Sequence, residues 1–166
     1  MAGARITTLK ILHAAGADTP RPYTRRENAI LMAYIGGPGL AAPTLNHVRL
    51  ASGEARALFK RVLHNVEIML SHERVHGDLS AFNILYWQGQ ITLFDFPQVI
   101  SPLENRSAYL IFQRDIQRLC DYFQRQGVDA DPRTLAADLW TSHGYPTGPP
   151  DAVEFFDEGM EAIDQG

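Results

Sequence analysis

A polar loop followed at once by a short hairpin occupies the middle of the 166-residue chain. The loop reads His76-Gly77-Asp78-Leu79-Ser80-Ala81-Phe82-Asn83, and the hairpin has Gln88-Gly89 as its turn. Glycine in this position favours a tight two-residue turn, so the strands on either side are expected to pair directly. Asp95 follows the second strand, and the hairpin therefore returns it to the loop. The sequence predicts that Asp78, Asn83 and Asp95 lie close together.

Four helices and a second hairpin are predicted around this loop. Apolar residues at three- and four-residue spacing predict helices over residues 4–15, 53–72, 107–126 and 131–140. The predicted helix boundaries are Gly16 and Gly127 as stops, Ser52 as an N-cap and Asp131-Pro132 as the last start. Residues 23–34 are interpreted as the second hairpin, and residues 35–39 (Ile-Gly-Gly-Pro-Gly) as a break in regular structure that acts as a hinge.

The composition gives no sign of a nucleic-acid or membrane partner. The net charge is −4, and no apolar run approaches the roughly 18 residues of a membrane span. The single cysteine, Cys120, lies in a helical pattern, where a buried and unreactive thiol is expected. The first ten residues lack the apolar stretch of a signal peptide, so the sequence predicts a cytoplasmic protein.

Asp78, Asn83 and Asp95 are the candidate reactive residues. Phosphoryl transfer needs a carboxylate that orients or deprotonates the acceptor hydroxyl, and oxygen ligands for the divalent cations that gather phosphate charge. Asp78 and Asn83 are five residues apart in one loop, so one can face the acceptor while the other faces metal. Asp95 can hold the metal from its other side. This division of roles matches the H-x-D-x-x-x-x-N and D-F-G signatures of kinases.

Two further residues are interpreted as structural. His76 is expected to organise the loop by hydrogen bonding rather than to act as a base. Asp115 lies in a predicted helix among apolar neighbours, where a buried carboxylate needs partners. The backbone amides of the loop around Asp78 are the expected partners.

The chain resembles the RIO family of atypical serine/threonine kinases from about residue 5 to residue 140. The resemblance lies in the loop from His76 to Leu85, in Phe94-Asp95-Phe96-Pro97-Gln98, in the hinge Leu31–Gly36 and in Arg114-Asp115-Ile116. It implies an α+β, protein-kinase-like fold. Such a fold would have a mostly helical C-lobe and a partial N-lobe made of a helix and short antiparallel strands.

The same resemblance implies ATP and Mg²⁺ as cofactors. Asp78 would be the catalytic aspartate, and Asn83 and Asp95 would bind the metal. The hinge residues that would contact adenine are Met32, as gatekeeper, and the backbone of Ala33 and Ile35. Some members of this family are viewed as ATPases whose hydrolysis drives release from ribosome precursors. A protein substrate and a ribosome-assembly particle are therefore both candidate partners.

The chain departs from the family pattern at its N-terminal end. A RIO domain begins with a nucleotide loop and a strand lysine paired with a helix glutamate. Here Lys10 lies in the first predicted helix, and Arg5 or a near neighbour stands in the glutamate's place. We expect a partial N-lobe over residues 1–35, a C-lobe over 36–143 and an acidic tail over 144–166. A truncated or misplaced gene start and a degraded kinase both account for this, and the remnant would expose a sheet edge.

Three functions remain open at this point. The first is a RIO-type, ATP-dependent serine/threonine kinase or ATPase. The second is a pseudokinase that serves as a binding scaffold, since the main cation that clamps the phosphates would be missing. The third is a small-molecule phosphotransferase of the aminoglycoside or choline kinase type, which shares His-Gly-Asp-x₄-Asn. The hinge Met-Ala-Tyr-Ile-Gly and the sequence Asp-Phe-Pro-Gln argue against the third.

Overall fold

The computed structural model describes residues 2–26, 29–96 and 100–147 of the chain. Within these ranges the helices are α1 (Ala2–Ala14), α2 (Ser52–Ser71), α3 (Ala108–Arg125) and α4 (Pro132–Ser142). The strands form antiparallel pairs, β1 (Pro22–Arg26) with β2 (Ala29–Met32), β3 (Gly36–Gly37) with β4 (Leu40–Ala41), and β5 (Ile84–Trp87) with β6 (Gln90–Leu93). Single turns of 3-10 helix cover Leu45–His47 and Ala81–Asn83. This is the α+β fold predicted from the sequence.

α2 is the long helix that the apolar stripe predicted. Its buried side chains recur at helical spacing and include Leu58, Phe59, Val62, Val66, Met69 and Leu70. The backbone of Ala51 is extended, and its carbonyl accepts the N–H of Ala55 at 2.8 Å. Ala51 is therefore the N-cap, and Ser52 is the first helical residue. The prediction that Ser52 caps this helix was wrong by one position.

Aromatic rings join α3, α4 and the segment that follows α4. Trp140 packs against Tyr109 with ring centroids 5.3 Å apart, and against Tyr145 at 5.2 Å. The Tyr145 hydroxyl donates to the carbonyl of Leu70 at the end of α2. Tyr145 is buried, so this residue of the predicted tail packs against α4 and the end of α2. The sequence does not show this aromatic contact, and the domain boundary after residue 143 stays a prediction.

α3 is buried along one face, which carries two residues that the sequence singled out. Cys120 is buried, and burial raises the pKa of its thiol to about 11. The thiol is therefore protonated at neutral pH, which confirms the expectation of an unreactive cysteine. Asp115 is also buried and accepts a hydrogen bond from the loop at Gly77.

The N-terminal residues share the core of the rest of the chain. Leu9 and Leu12 of α1 belong to the same buried apolar cluster as residues of α2 and α3. The β1–β2 pair is more exposed, with Tyr23 at 54% and Leu31 at 59%. Among the residues that the structure describes, no third strand pairs with it. The predicted N-lobe remnant thus consists of a helix that joins the main core and an exposed two-stranded sheet.

The segment predicted as an irregular hinge contains a short ribbon. Gly36 pairs with Ala41, and Gly37 pairs with Leu40. Gly36 has a φ of 143°, and a Cβ at this position would overlap the carbonyl of Leu40 and the amide of Ala42. Glycine is required here because two strands approach closely. The prediction of a break in regular structure was therefore wrong at these residues.

Asp18 anchors the linker after α1 to α2 and to β6. Its carboxylate accepts two hydrogen bonds from Arg61, at 2.5 and 2.9 Å, and one from the Asn65 amide at 2.7 Å. Its backbone N–H donates to Asn65 Oδ1, and its carbonyl accepts from the Leu93 N–H at 2.7 Å. Burial raises the pKa of Asp18, but the bonds from Arg61 and Asn65 outweigh it and leave the pKa below its ordinary value. The carboxylate is therefore charged at neutral pH.

Some predicted features lie outside the described residues. They are the turn residues Glu27 and Asn28, the metal-loop residues Pro97 and Gln98, and the acidic tail beyond residue 147. Within the three described ranges, no helix is long and apolar enough to cross a membrane.

Replacing Asp18 by Ala should destabilise the whole fold. Asn65 is 1% exposed, and the variant removes one acceptor of its buried amide together with the partner of Arg61, at a cost of about 1–3 kcal/mol. Chemical denaturation should show a lower midpoint with an unchanged slope. Asp129→Ala, which removes an exposed carboxylate, is the matched control. Equal midpoints for the two variants would contradict the anchoring role.

Candidate active site

The loop from His76 to Asn83 is shaped by hydrogen bonds to α3. Asp115 accepts the Gly77 N–H at 2.9 Å and the Leu79 N–H at 3.1 Å. Gly77 has a φ of 89°, and a Cβ there would lie 2.6 Å from Cδ1 of Ile100. Glycine is therefore needed both for the backbone conformation and for the close packing. These constraints fix the path of the chain immediately before and after Asp78.

Asp115 is buried, but it has hydrogen-bond donors and two arginines nearby. Asp115 is 2% exposed, and burial raises its pKa to about 7, against the opposing effects of the two amide bonds and of Arg114 and Arg118. Arg114 also donates to the carbonyl of Gly77. Asp115 and Arg114 thus bind both backbone polar groups of Gly77, its N–H and its carbonyl. The prediction that Asp115 bonds the amides of this loop is confirmed.

His76 connects the loop to the end of β6. Its Nδ1 lies 3.2 Å from the backbone nitrogen of Asp78, and its Nε2 lies 3.1 Å from the carbonyl oxygen of Phe94. A backbone N–H can only donate and a carbonyl can only accept, so the ring is neutral with its proton on Nε2. Burial lowers the pKa of His76, which favours this neutral form. The expectation that His76 organises the loop by hydrogen bonding is confirmed.

The hairpin and His76 bring the three predicted polar residues together. The Phe94 N–H donates to the carbonyl of Asn83 at 3.0 Å, and Asp95 follows directly. Burial lowers the pKa of His76, whereas the charges of Asp78 and Asp95 both act to raise it. The ring itself contacts the backbone nitrogen of Asp78 and the carbonyl of Phe94, the residue before Asp95. The sequence prediction that the hairpin returns Asp95 to the loop agrees with this geometry.

Asn83 presents a buried amide that can serve a cation. The side chain is buried, its nitrogen has no hydrogen-bond partner among the described residues, and its oxygen accepts from the Ser80 hydroxyl at 3.2 Å. A hydroxyl can donate or accept, so the amide can exchange its oxygen and nitrogen positions without losing that bond. The oxygen would then occupy the position of the unpartnered nitrogen. An amide oxygen in that position fits the ligand preference of Mg²⁺.

Asp95 completes the oxygen-bearing pair. It is exposed and has a φ of 55°, a left-handed conformation that is uncommon for residues other than glycine and clusters at ligand sites. The described residues contain no group of three or more His, Cys, Asp or Glu side chains that could hold a metal. Mg²⁺ is commonly held by one or two carboxylates together with substrate phosphates. Asn83 and Asp95 suit that kind of site.

The hinge backbone has one acceptor and one donor without a described partner. The Ala33 N–H donates to the carbonyl of Arg21 at 2.8 Å, and the carbonyl of Ile35 accepts the Ala42 N–H at 3.0 Å. In the described part of the chain, the carbonyl of Ala33 and the N–H of Ile35 have no backbone partner. These groups are complementary to the amino group and the ring nitrogen on one edge of adenine. Met32, the predicted gatekeeper, is 37% exposed beside them.

Arg118 is a residue of this site that the sequence analysis did not identify. Its Nη1 donates to Oδ1 of Asp78 at 2.9 Å, and the two side chains are 42% and 53% exposed. Both line an open groove of about 670 Å³ between the loop and α3. Arg118 follows Asp115 by three residues, which puts it on the same side of the helix. Helical spacing from Asp115 was therefore the signal that could have found it.

The helices, the loop held by Asp115 and the hairpin that returns Asp95 together define a protein-kinase-like fold. A solved structure with this fold is that of Rio2 kinase from Chaetomium thermophilum, described as an ADP/Mg²⁺-phosphoaspartate complex. It matches with a TM-score of 0.68 and 21% identity, over 95% of this chain and 48% of that chain.

The sequence places the chain within one family of such proteins. A family model described as the RIO domain matches residues 1–135, and the chain belongs to the RIO family. Human serine/threonine-protein kinase RIO1 is 31% identical over 118 residues, which cover 70% of this chain and 21% of the relative. The RIO-type serine/threonine-protein kinase Rio1 of Thermoplasma acidophilum is 29% identical over 126 residues, which cover 76% and 64%. The chain thus spans less than two thirds of the length of these relatives, and the predicted resemblance is confirmed.

Substitutions of Asp115 should loosen the loop in a graded way. Asp115→Ala leaves the buried N–H of Leu79 and the part-buried N–H of Gly77 without an acceptor, whereas Asp115→Asn keeps one acceptor. We expect unfolding free energies to fall by about 2–4 kcal/mol for Ala and about half as much for Asn. Hydrogen exchange should show the amides of Gly77 and Leu79 losing protection first. Asp138→Ala, at an exposed position of α4, is the control, and equal exchange at these amides in all variants would contradict the anchoring.

The neutral state of His76 should make stability depend on pH. Burial puts its folded pKa below the ordinary value of 6.5, so its contribution is present above 6.5 and is lost as the pH falls through the folded pKa. From about pH 8 to about pH 5, the wild type should therefore lose more stability than His76→Gln. Asp115, with its pKa raised to about 7, acts in the opposite direction but is common to both proteins. Parallel curves of unfolding free energy against pH would contradict the assignment.

Proposed function

We propose that this chain is a RIO-type serine/threonine kinase or ATPase that transfers the γ-phosphoryl group of ATP with Mg²⁺. The observation that carries the proposal is the arrangement around His76. On one side the ring holds the amide of Asp78, and on the other it holds the carbonyl before Asp95. A carboxylate for the acceptor and an oxygen pair for a cation are thereby kept at one place, as phosphoryl transfer requires.

Asp78 is the proposed catalytic aspartate. Its Oδ1 accepts from Arg118, its Oδ2 has no hydrogen bond among the described contacts, and the residue lines an open groove. Oδ2 can accept the proton of an acceptor hydroxyl and orient the hydroxyl oxygen toward the phosphorus atom. Arg118 limits the rotation of the carboxylate and leaves one oxygen available.

Asn83 and Asp95 are the proposed metal ligands. When bound, Mg²⁺ would neutralise the charge of the nucleotide phosphates. The unpartnered amide of Asn83 and the exposed carboxylate of Asp95 support this assignment. Both are held from the backbone, since the Phe94 N–H bonds the carbonyl of Asn83 and the Phe94 carbonyl bonds His76.

The adenine ring is proposed to bind at the hinge. The carbonyl of Ala33 would accept from the amino group, and the N–H of Ile35 would donate to a ring nitrogen. Met32 would border the ring as gatekeeper. The other hinge groups are already bonded to Arg21 and Ala42, which leaves one acceptor and one donor for a purine edge.

The relatives support the same function. The human and Thermoplasma acidophilum proteins are named as serine/threonine kinases, and the Rio2 structure is described as a complex with ADP and Mg²⁺. Because the chain spans only part of their length, their activity is carried over here as a proposal. A protein or a ribosome-assembly particle remains the proposed class of acceptor or partner.

A nucleotide-binding scaffold is the second candidate. The observation that favours it is the ion pair of Asp78 with Arg118, which occupies part of the catalytic carboxylate. An exposed ion pair of this kind contributes only about 0–1 kcal/mol, so an acceptor can displace it at little cost. The kinase hypothesis is therefore preferred, and a measurement of turnover distinguishes a kinase from a scaffold.

Replacing Asp78 by Asn should remove turnover but keep nucleotide binding. The amide cannot accept the hydroxyl proton as a base, so we expect the rate of phosphoryl transfer to fall by about 10²–10⁴-fold. Isothermal titration with ADP and Mg²⁺ should give an affinity within about threefold of wild type, because Asp78 is not a proposed metal ligand. Asp95→Asn should instead weaken Mg²⁺-dependent nucleotide binding. Asp138→Asn is the control for both assays.

The acceptor assay separates the competing functions. Radiolabelled ATP is supplied with a serine-containing peptide, with water alone, or with a small alcohol or aminoglycoside. Binding of nucleotide without transfer in any arm would favour the scaffold. Transfer to small alcohols or aminoglycosides far above that to peptide would favour a small-molecule phosphotransferase. Full activity of Asp78→Asn would contradict its catalytic role.

A further inference from the structure

The groove beside Asp78 has two walls of different character. One wall is the loop, where Phe82 is 67% exposed and offers an apolar ring. The other wall is the second half of α3, which contributes Arg118, Asp121 and Arg125. The groove is open and has a volume of about 670 Å³. Such a shape suits an extended segment lying along a helix better than an enclosed small molecule.

The charged residues of the helical wall have different partners. Arg118 bonds Asp78, and Asp121 accepts from the Gln117 amide at 2.8 Å. Arg125 is exposed at the far end and forms no ion pair with a residue that the structure describes. It therefore has a complete set of guanidinium donors to offer to an anion. Among the charged groups that line the groove, Arg125 is the one most able to bind a ligand.

The distance between Arg118 and Arg125 along α3 can be compared with the length of an extended peptide. Arg118 and Arg125 are seven residues apart, on the same face of the helix. At the rise of an α-helix this separation is about 10 Å. An extended peptide advances about 3.3 Å per residue, so the same distance corresponds to about three residues. A serine hydroxyl at Asp78 would thus place a side chain about three positions away beside Arg125.

We propose that this groove is the acceptor site and that Arg125 selects a peptide with an acidic side chain about three residues from the acceptor hydroxyl. Phe82 packs against the apolar part of the same peptide, and Asp121 disfavours an acidic residue between the two positions. The inference rests on the proposed phosphoryl transfer and adds the class of acceptor to it.

The test uses three labelled peptides and two measurements. Each peptide has a central serine, with Glu, Gln or Lys at the third position on both sides. Fluorescence anisotropy measures binding to the whole chain, and radiolabel transfer from ATP measures kcat/KM. At low ionic strength the Glu peptide should bind about fivefold more tightly than the Gln peptide, as expected for an exposed ion pair. The difference should shrink with added salt.

Charge reversal supplies the decisive variant. Arg125→Glu should abolish the preference for the Glu peptide and favour the Lys peptide, a reversal that misfolding cannot produce. Arg56→Glu, which makes the same change at an exposed position of α2 outside the groove, should keep the wild-type order. Equal binding of the Glu and Gln peptides, or an unchanged order in Arg125→Glu, overturns the inference.

Peptide binding and phosphoryl transfer are measured separately, so failure of the kinase function can be distinguished from failure of the selection by Arg125. Binding that prefers Glu and reverses in Arg125→Glu, with no transfer to any peptide, supports the groove and contradicts the kinase function. Transfer to all three peptides at equal kcat/KM, with equal binding, supports the kinase function and overturns the selection by Arg125.

Discussion

The carboxylate of Asp115 accepts the backbone amides of Gly77 and Leu79, and the geometry of the site depends on these bonds. They join the loop to α3, whose apolar face is part of the main core. Since buried amides without acceptors are costly, the loop has few alternative conformations. Asp78 lies between the two anchored residues and is presented to solvent without itself being buried. The buried bonds of Asp115 thus position Asp78, although Asp78 itself stays exposed to solvent.

Two further hydrogen-bonded residues extend this order across the molecule. His76 links the amide of Asp78 to the end of β6, so the loop and the residue before Asp95 are positioned together. Asp18 links the segment after α1 to α2 and, through its carbonyl, to Leu93 of the same strand. The proposed reactive residues are therefore held through their backbones. Each of the side chains of Asp78 and Asn83 keeps at least one polar atom without a described partner.

The sequence anticipated the elements whose causes are local. The apolar stripe of α2, the turn at Gln88-Gly89 and the Asp131 cap of α4 all arise within a few residues, and all are present. The two errors are local as well, since the cap of α2 is Ala51 rather than Ser52 and the chain after Gly36 pairs back as a short ribbon. The contacts of Tyr145 with Trp140 and with the Leu70 carbonyl depend instead on which groups lie nearby in space. Spacing along the chain cannot supply that information.

Some features of the proposed site likewise follow from the sequence, and others only from the tertiary structure. The sequence by itself determined that the loop of Asp78 and Asn83 and the segment of Asp95 would be neighbours, because a tight hairpin leaves the chain little freedom. It also determined that Asp115 needed polar partners, since burial penalises an isolated carboxylate. Only the tertiary structure decided that Arg118 bonds Asp78 and that Arg125, in the same groove, has no ion-pair partner among the described residues. Those contacts depend on the rotation of α3 relative to the loop, which is set by core packing over many distant residues.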